Sequence, residues 1–142
     1  MKERLRVKPI LLGFLVAFVG GAVTAIGVVV YTTGGDLAKM QSFATEASTM
    51  TTVALSLAGV FFALLAGFVT AKLAPHDPGR HVARLALVLV ILSALELIST
   101  VVQSGVGAQL VIGILSTAAT YGAVLLGGYL AEDDEATDET GA

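Results

Sequence analysis

The chain has no cysteine and no tryptophan, and only 13% of its residues are charged. Without cysteine it can form no disulfide framework, no thiolate nucleophile and no cysteine-based metal site. Soluble domains carry nearer a quarter charged residues, so this chain has too little charge to cover a surface that faces water. Its 56% hydrophobic content therefore predicts an outer surface that faces lipid.

The few charges are concentrated at the ends of the chain and in its loops. Lys2, Arg4, Arg6 and Lys8 open the sequence, and six of the eleven acidic residues lie in the last eleven positions. No basic surface is left for nucleic acid, so a nucleic-acid partner is not predicted. The basic N-terminus could contact anionic lipid, although its simplest role is to set the topology.

Four runs with almost no charge are long enough to cross a bilayer as helices. We predict spans at about residues 9–31, 50–72, 83–103 and 109–130. A cleavable signal peptide is the alternative for the first run, but its apolar stretch is too long for a signal core, which favours a retained span. The predicted fold class is all-α, a polytopic transmembrane four-helix bundle embedded in the lipid bilayer.

The basic residues also predict the orientation, because they accumulate in cytoplasmic loops. One side of the four-span arrangement carries Lys2, Arg4, Arg6, Lys8, Lys72, Arg80 and Arg84, and the other carries Lys39 alone. Both termini and the loop between the second and third spans are therefore predicted to be cytoplasmic. The predicted location is the plasma (inner) membrane.

Two segments outside the spans have a recognisable pattern. Residues 36–49 carry apolar side chains at helical spacing after a candidate N-cap, Asp36, which predicts an amphipathic helix on the outer side. Residues 132–142 are acidic and small, which predicts a disordered tail.

His76, Asp77 and His81 lie close together in the predicted cytoplasmic loop. Two histidines and an aspartate could bind a metal, but zinc sites have tighter spacing on a fixed element. The prolines in this loop favour a solvated turn with titratable histidines. No metal and no cofactor is predicted.

Small residues recur every three or four positions on three of the spans, which places them on one helix face and lets backbones approach closely. The predicted helix-packing residues are Gly13, Ala17, Gly20, Gly59, Ala63, Gly67, Gly113 and Gly127. Packing within the bundle is favoured, and a seam with another copy or with a partner's helix is the functional alternative. Segments 64–69 and 125–130 also have similar sequences, which a duplicated hairpin or chance would explain equally well.

Glu96 interrupts the third span, slightly past its middle on the outer side. It shares one helix face with Ser93, Thr100 and Gln103, which together predict a polar stripe inside the membrane. A carboxylate in hydrocarbon costs roughly 2.5 kcal/mol or more, so Glu96 is predicted to face the bundle interior, protonated or hydrogen-bonded to hydroxyls. A functional role, as a proton or cation site or as a contact to a charged partner helix, and a protonated structural carboxyl that holds the helix packing are about equally well supported.

The second span ends in Gly67-Phe68-Val69-Thr70-Ala71-Lys72-Leu73-Ala74-Pro75, and His81 opens the third. With the hydropathy of the whole chain, this stretch resembles small uncharacterised four-span prokaryotic membrane proteins. The resemblance implies the four-span topology and a prokaryotic inner membrane. It carries no established activity.

Catalytic signatures are missing from the sequence: it has no GxSxG, no HExxH, no paired aspartates within a span and no Gly-Lys phosphate loop. We therefore predict a non-enzymatic membrane protein without catalytic residues. It would act through helix packing, as a homo-oligomer or as an accessory subunit of a membrane complex. The alternative is a proton- or cation-coupled transport or channel protein centred on Glu96.

Overall fold

The four predicted spans are helices in the computed structural model, which describes residues 7–46, 48–74, 76–104 and 107–140. The helices are α1 (Val7–Thr33), α2 (Leu37–Glu46), α3 (Thr49–Leu73), α4 (Pro78–Ser104) and α5 (Ala108–Thr140). No strand occurs within the described residues. All helices except α2 are long and apolar enough to cross a membrane. The predicted all-α, four-helix membrane bundle is thereby confirmed.

Local sequence explains where the helices begin and end. Gly34 and Gly35, with φ of 63° and 79°, form the turn between α1 and α2, a backbone conformation that glycine adopts without a steric penalty. Asp36 caps α2, because its Oδ1 accepts a hydrogen bond of 2.9 Å from the backbone N–H two residues later. Ser48 caps α3 through a 3.2 Å bond from the N–H of Thr51.

Two helix boundaries differ from the prediction. The sequence predicts a disordered tail over residues 132–142, whereas α5 continues as a helix through Thr140. No glycine or proline interrupts this segment before residue 141, and it extends an existing helix, so no new nucleation is needed. The fourth helix begins at Pro78, before the predicted start near residue 83, because proline suits the first turn of a helix.

The central helix of the bundle is α3, which packs against α1, α4 and α5. Helix α4 packs against α5 and, less extensively, against α3 and α1. Within the described ranges α1 does not contact α5, and α2 contacts α1 alone. Since successive spans reverse direction, α3 and α5 run parallel to each other and α1 runs antiparallel to both.

The buried core lies at one end of the bundle. We call this end the proximal half; there α1 and α4 begin and the apolar parts of α3 and α5 end. The distal half contains α2 and the turn between α4 and α5. The buried apolar side chains of the described residues all lie in the proximal half: Ala63, Ala66, Ala71, Val82, Leu85, Ala86, Ala123, Val124 and Ala131. Most are alanines, so the core is built by close backbone approach more than by large side chains.

Candidate functional site

Gly13 joins three helices in the proximal half. A Cβ atom at this position would lie 2.8 Å from the carbonyl oxygen of Ala66 and 2.9 Å from Cδ2 of Leu85, and it would overlap the hydroxyl of Thr70. That hydroxyl is fully buried and donates a 3.3 Å hydrogen bond to the backbone carbonyl of Pro9. The missing side chain of Gly13 therefore lets α1 contact α3 and α4 at one point.

The closest approach in the bundle is between α3 and α5, and it is reciprocal. Gly67 lies directly against the carbonyl oxygen of Val124, and Gly127 lies against the carbonyl oxygen of Leu64. Each glycine thus meets the carbonyl that lies three residues before the other glycine. A side chain at either position would collide with main-chain atoms, which cannot rotate away.

Both helices carry the same small residues around this crossing. Helix α3 has Ala63 and Ala71 four residues on either side of Gly67, and α5 has alanines at 123 and 131 on either side of Gly127. All four alanines are buried. In the structure, segment 63–71 packs against segment 123–131. This pairing differs by one residue from the sequence similarity between segments 64–69 and 125–130.

The other predicted packing residues differ in their surroundings. Gly20 lies against the ring of Phe62, and Gly113 is covered by the side chain of Leu97. Ala17 is partly buried against the core. At Gly59, no atom of another helix among the described residues would lie within 4 Å of an added Cβ, so this predicted packing residue makes no such contact within the bundle. It is on the predicted helix face, but no neighbouring helix of this chain covers that face in the distal half.

Glu96 differs from the prediction in a related way. It follows Leu85 by eleven residues, which is about three helical turns, so both side chains leave α4 on the same side. Leu85 is 0% exposed, yet Glu96 is exposed. Glu96 therefore lies on the side of α4 that is buried at Leu85. The helices that cover Leu85 do not cover Glu96.

Two glycines support the same conclusion on the facing helices. Gly59 precedes Ala66 by seven residues and Thr70 by eleven, so it lies on the face of α3 that meets α1 in the proximal half. Gly27 follows Gly20 by seven residues on the matching face of α1. Among the described residues, no atom of another helix lies within 4 Å of the Cβ position of either glycine. No neighbouring helix therefore packs directly on α1 at Gly27 or on α3 at Gly59.

The resulting opening is the candidate functional site, and we call it the distal cleft. Its walls carry Gly27 on α1, Gly59 on α3 and Glu96 on α4. Thr24 follows Gly13 by eleven residues, as Glu96 follows Leu85, and is half-buried on the α1 side at the level of the carboxyl group. The cleft thus combines a carboxyl, a hydroxyl and two bare stretches of backbone in an apolar surrounding.

The remaining residues of the predicted polar stripe are described only in part. Ser93 is half-buried on α4, one turn before Glu96. The side chains of Thr100 and Gln103 lie outside the part of the chain whose side chains the structure describes. Glu96 itself takes part in a polar or electrostatic interaction within the chain and still remains exposed.

His81 lies in the proximal half and is another correction, because the sequence predicts a solvated turn and the side chain is only 6% exposed. Its Nδ1 is 3.1 Å from the carbonyl oxygen of Asp77. A carbonyl can only accept, so Nδ1 is the donor in this contact, which orients the buried ring. Nε2 has no hydrogen-bond partner among the described residues.

The neighbouring turn fixes the start of α4. Asp77 has a φ of 51°, which is uncommon for a residue other than glycine, and its Oδ2 lies 2.8 Å from Nε of Arg80. His76 is exposed. No three His, Asp or Glu side chains come together as a metal site in the described part of the chain.

Comparisons with protein-family models, with curated proteins and with solved structures find no match to this chain. The function must therefore be inferred from the chain's own residues. The carboxyl of Glu96 lies within a candidate span and is exposed on the side of α4 that carries the buried Leu85.

Proposed function

We propose that the chain is a non-enzymatic multi-pass protein of the plasma membrane that associates with other membrane helices through its distal cleft. The supporting observation is Gly59. It lies on the face of α3 that packs against α1 nearer the proximal end, but among the described residues no atom of another helix lies within 4 Å of its Cβ position. In a membrane, helices associate by close packing of small residues, and an uncovered glycine face offers such a contact. A homo-oligomer and an accessory subunit of a larger complex both fit this surface.

The test of association is the replacement of Gly59 with leucine. The substitution fills open space in the monomer, so we expect the thermal unfolding midpoint in detergent to change by only a few degrees. We expect the leucine side chain to prevent the partner from binding in the cleft. The particle mass in mild detergent would then fall from that of a complex to that of the single chain. Mass photometry of protein extracted from native membrane measures the outcome.

The matched control is Gly122→Leu on α5. Gly122 is exposed and, like Gly59, has no atom of another helix within 4 Å of its Cβ position among the described residues, but it lies outside the cleft. We expect this variant to keep the particle mass of the wild type. Equal masses for all three proteins would contradict association through Gly59.

The orientation that accompanies this proposal has both termini in the cytoplasm. It is supported by the basic residues, since Lys8, Lys72, Arg80 and Arg84 all lie at the proximal end and Lys39 lies at the distal end. We expect a tag at either terminus to be inaccessible in intact cells and a tag beside Lys39 to be labelled by an impermeant reagent. A C-terminal tag that can be reached from outside would reverse the orientation.

A second candidate function is proton- or cation-coupled transport centred on Glu96. The observation that favours it is the exposed carboxyl within a span, with the hydroxyl of Thr24 on the opposite side of the cleft. Intramembrane carboxyls commonly mark ion pathways. Glutamine keeps the size and hydrogen bonding of the side chain but cannot ionise.

Flux measurements with Glu96→Gln therefore test this second function. We expect wild-type protein in reconstituted vesicles to show a pH- or cation-dependent flux that Glu96→Gln abolishes while its unfolding midpoint is retained. If wild-type vesicles show no flux while association through the cleft is observed, the transport function is wrong and the association function stands.

A further inference from the structure

We propose that the distal cleft receives a transmembrane helix of another protein, and that this helix carries one lysine or arginine at the depth of Glu96. The proposal rests on the proposed association through the cleft. It adds the chemical identity of the partner.

The sign of the required charge follows from the exposed carboxyl. Glu96 lies on the cleft wall within a span, where the low dielectric strengthens its attraction to a positive group. Glu96 also takes part in an interaction within the chain. A carboxylate offers about four lone-pair sites on its two oxygens, so it can accept a second donor.

The partner is another protein, because this chain has no matching charge to offer from a second copy. Residues 9–35, 50–71 and 85–142 contain no lysine, arginine or histidine. The basic residue nearest to the distal end, Lys39, lies in α2, outside the spans. A second copy docked in the cleft would therefore bring another uncharged helix face or a second Glu96.

The occupant is a helix, because a segment within lipid must satisfy its own backbone hydrogen bonds. Gly27 and Gly59 leave bare backbone on two walls of the cleft, which permits the close approach of a helix. Glu96 lies eight residues before the end of α4 at Ser104, or about 12 Å along the axis. The basic residue of the partner is therefore expected in the distal third of its span.

The test uses three synthetic host helices of leucine and alanine that differ at one position. The first has lysine in the distal third, the second has glutamine at that same position, and the third has lysine in the proximal third. Each is labelled with an energy-transfer acceptor and titrated into phosphatidylcholine vesicles that contain the donor-labelled chain. We expect the distal-lysine helix to bind the wild-type chain at least about 10-fold more tightly than the other two.

Variants of the chain assign this gain to the carboxyl. We expect Glu96→Gln to bind all three helices with the same affinity, and the control Glu132→Gln, which removes an exposed acid at the other end of the bundle, to behave as wild type. Equal binding of the distal-lysine and glutamine helices to wild type, or a lysine preference that survives in Glu96→Gln, would overturn the proposal.

The same titrations separate this inference from the association on which it rests. If all three helices bind wild type equally and Gly59→Leu binds none of them, association through the cleft holds and the charge recognition is wrong. If no helix binds the wild type and the chain stays monomeric, both are wrong.

Discussion

Replacing Gly67 with leucine is expected to prevent the bundle from packing, and replacing Gly127 is expected to do the same. Each glycine faces a main-chain carbonyl of the other helix, of Val124 and Leu64 respectively. A leucine side chain would have to push α3 and α5 apart along their whole crossing. Overpacking of a core costs 1–3 kcal/mol where side chains can adjust, and here backbone atoms cannot, so we expect a loss of about 3 kcal/mol or more.

The measurement is the thermal unfolding midpoint in detergent together with the yield of monodisperse protein. Gly59→Leu on the same helix is the control, since a Cβ placed there meets no atom of another helix within 4 Å among the described residues. We expect Gly67→Ala to be destabilised as well, because even a single Cβ overlaps the carbonyl oxygen of Val124. Equal midpoints for Gly67→Leu and Gly59→Leu would show that the α3–α5 crossing does not have this geometry.

The second large effect is expected at Gly13. A leucine there would displace Thr70 and Leu85, which are both 0% exposed, and would press on the carbonyl of Ala66. We expect it to detach α1 from the other helices at an energetic cost similar to that of Gly67→Leu, about 3 kcal/mol or more. Limited proteolysis measures this detachment. We expect cleavage of α1 in the variant, while α3, α4 and α5, which keep their mutual contacts, stay protected.

The matched control for Gly13 is Gly21→Leu on the same helix. Gly21 has no atom within 4 Å of its Cβ position, so the variant should unfold at the wild-type midpoint and remain protected. A further variant, Thr70→Val, removes the hydrogen bond to Pro9 without changing the volume, and we expect it to cost about 1 kcal/mol. If Thr70→Val destabilised the protein as much as Gly13→Leu, the hydrogen bond, and not the close packing at Gly13, would account for the stability of this contact.

The sequence was sufficient to predict the spans, because a long apolar run in lipid has few alternatives to a helix. The spacing of small residues follows the helical period, and three of the residues it singled out, Gly13, Gly67 and Gly127, lie at close contacts between helices. It could not tell which part of a face is covered. Gly59 and Ala66 lie on one face of α3: Ala66 is fully buried, whereas among the described residues no atom of another helix lies within 4 Å of the Cβ position of Gly59.

The same limit explains Glu96 and His81. Periodicity places Glu96 on the side of α4 that carries Leu85, but whether another helix covers that side depends on contacts between helices that are distant in sequence. His81 is polar and close to two prolines, which is typical of a loop, whereas the early start of α4 at Pro78 turns its ring into the core.

The partnership of α3 with α5 also determines when the protein can fold. The two glycines that meet at their crossing are separated by sixty residues, and the whole of α4 lies between them. A chain under synthesis therefore cannot form its tightest contact until its final span has entered the membrane, and until then Gly67 has no helix to pack against. It follows that a chain truncated before α5 should insert its earlier spans yet remain unassembled.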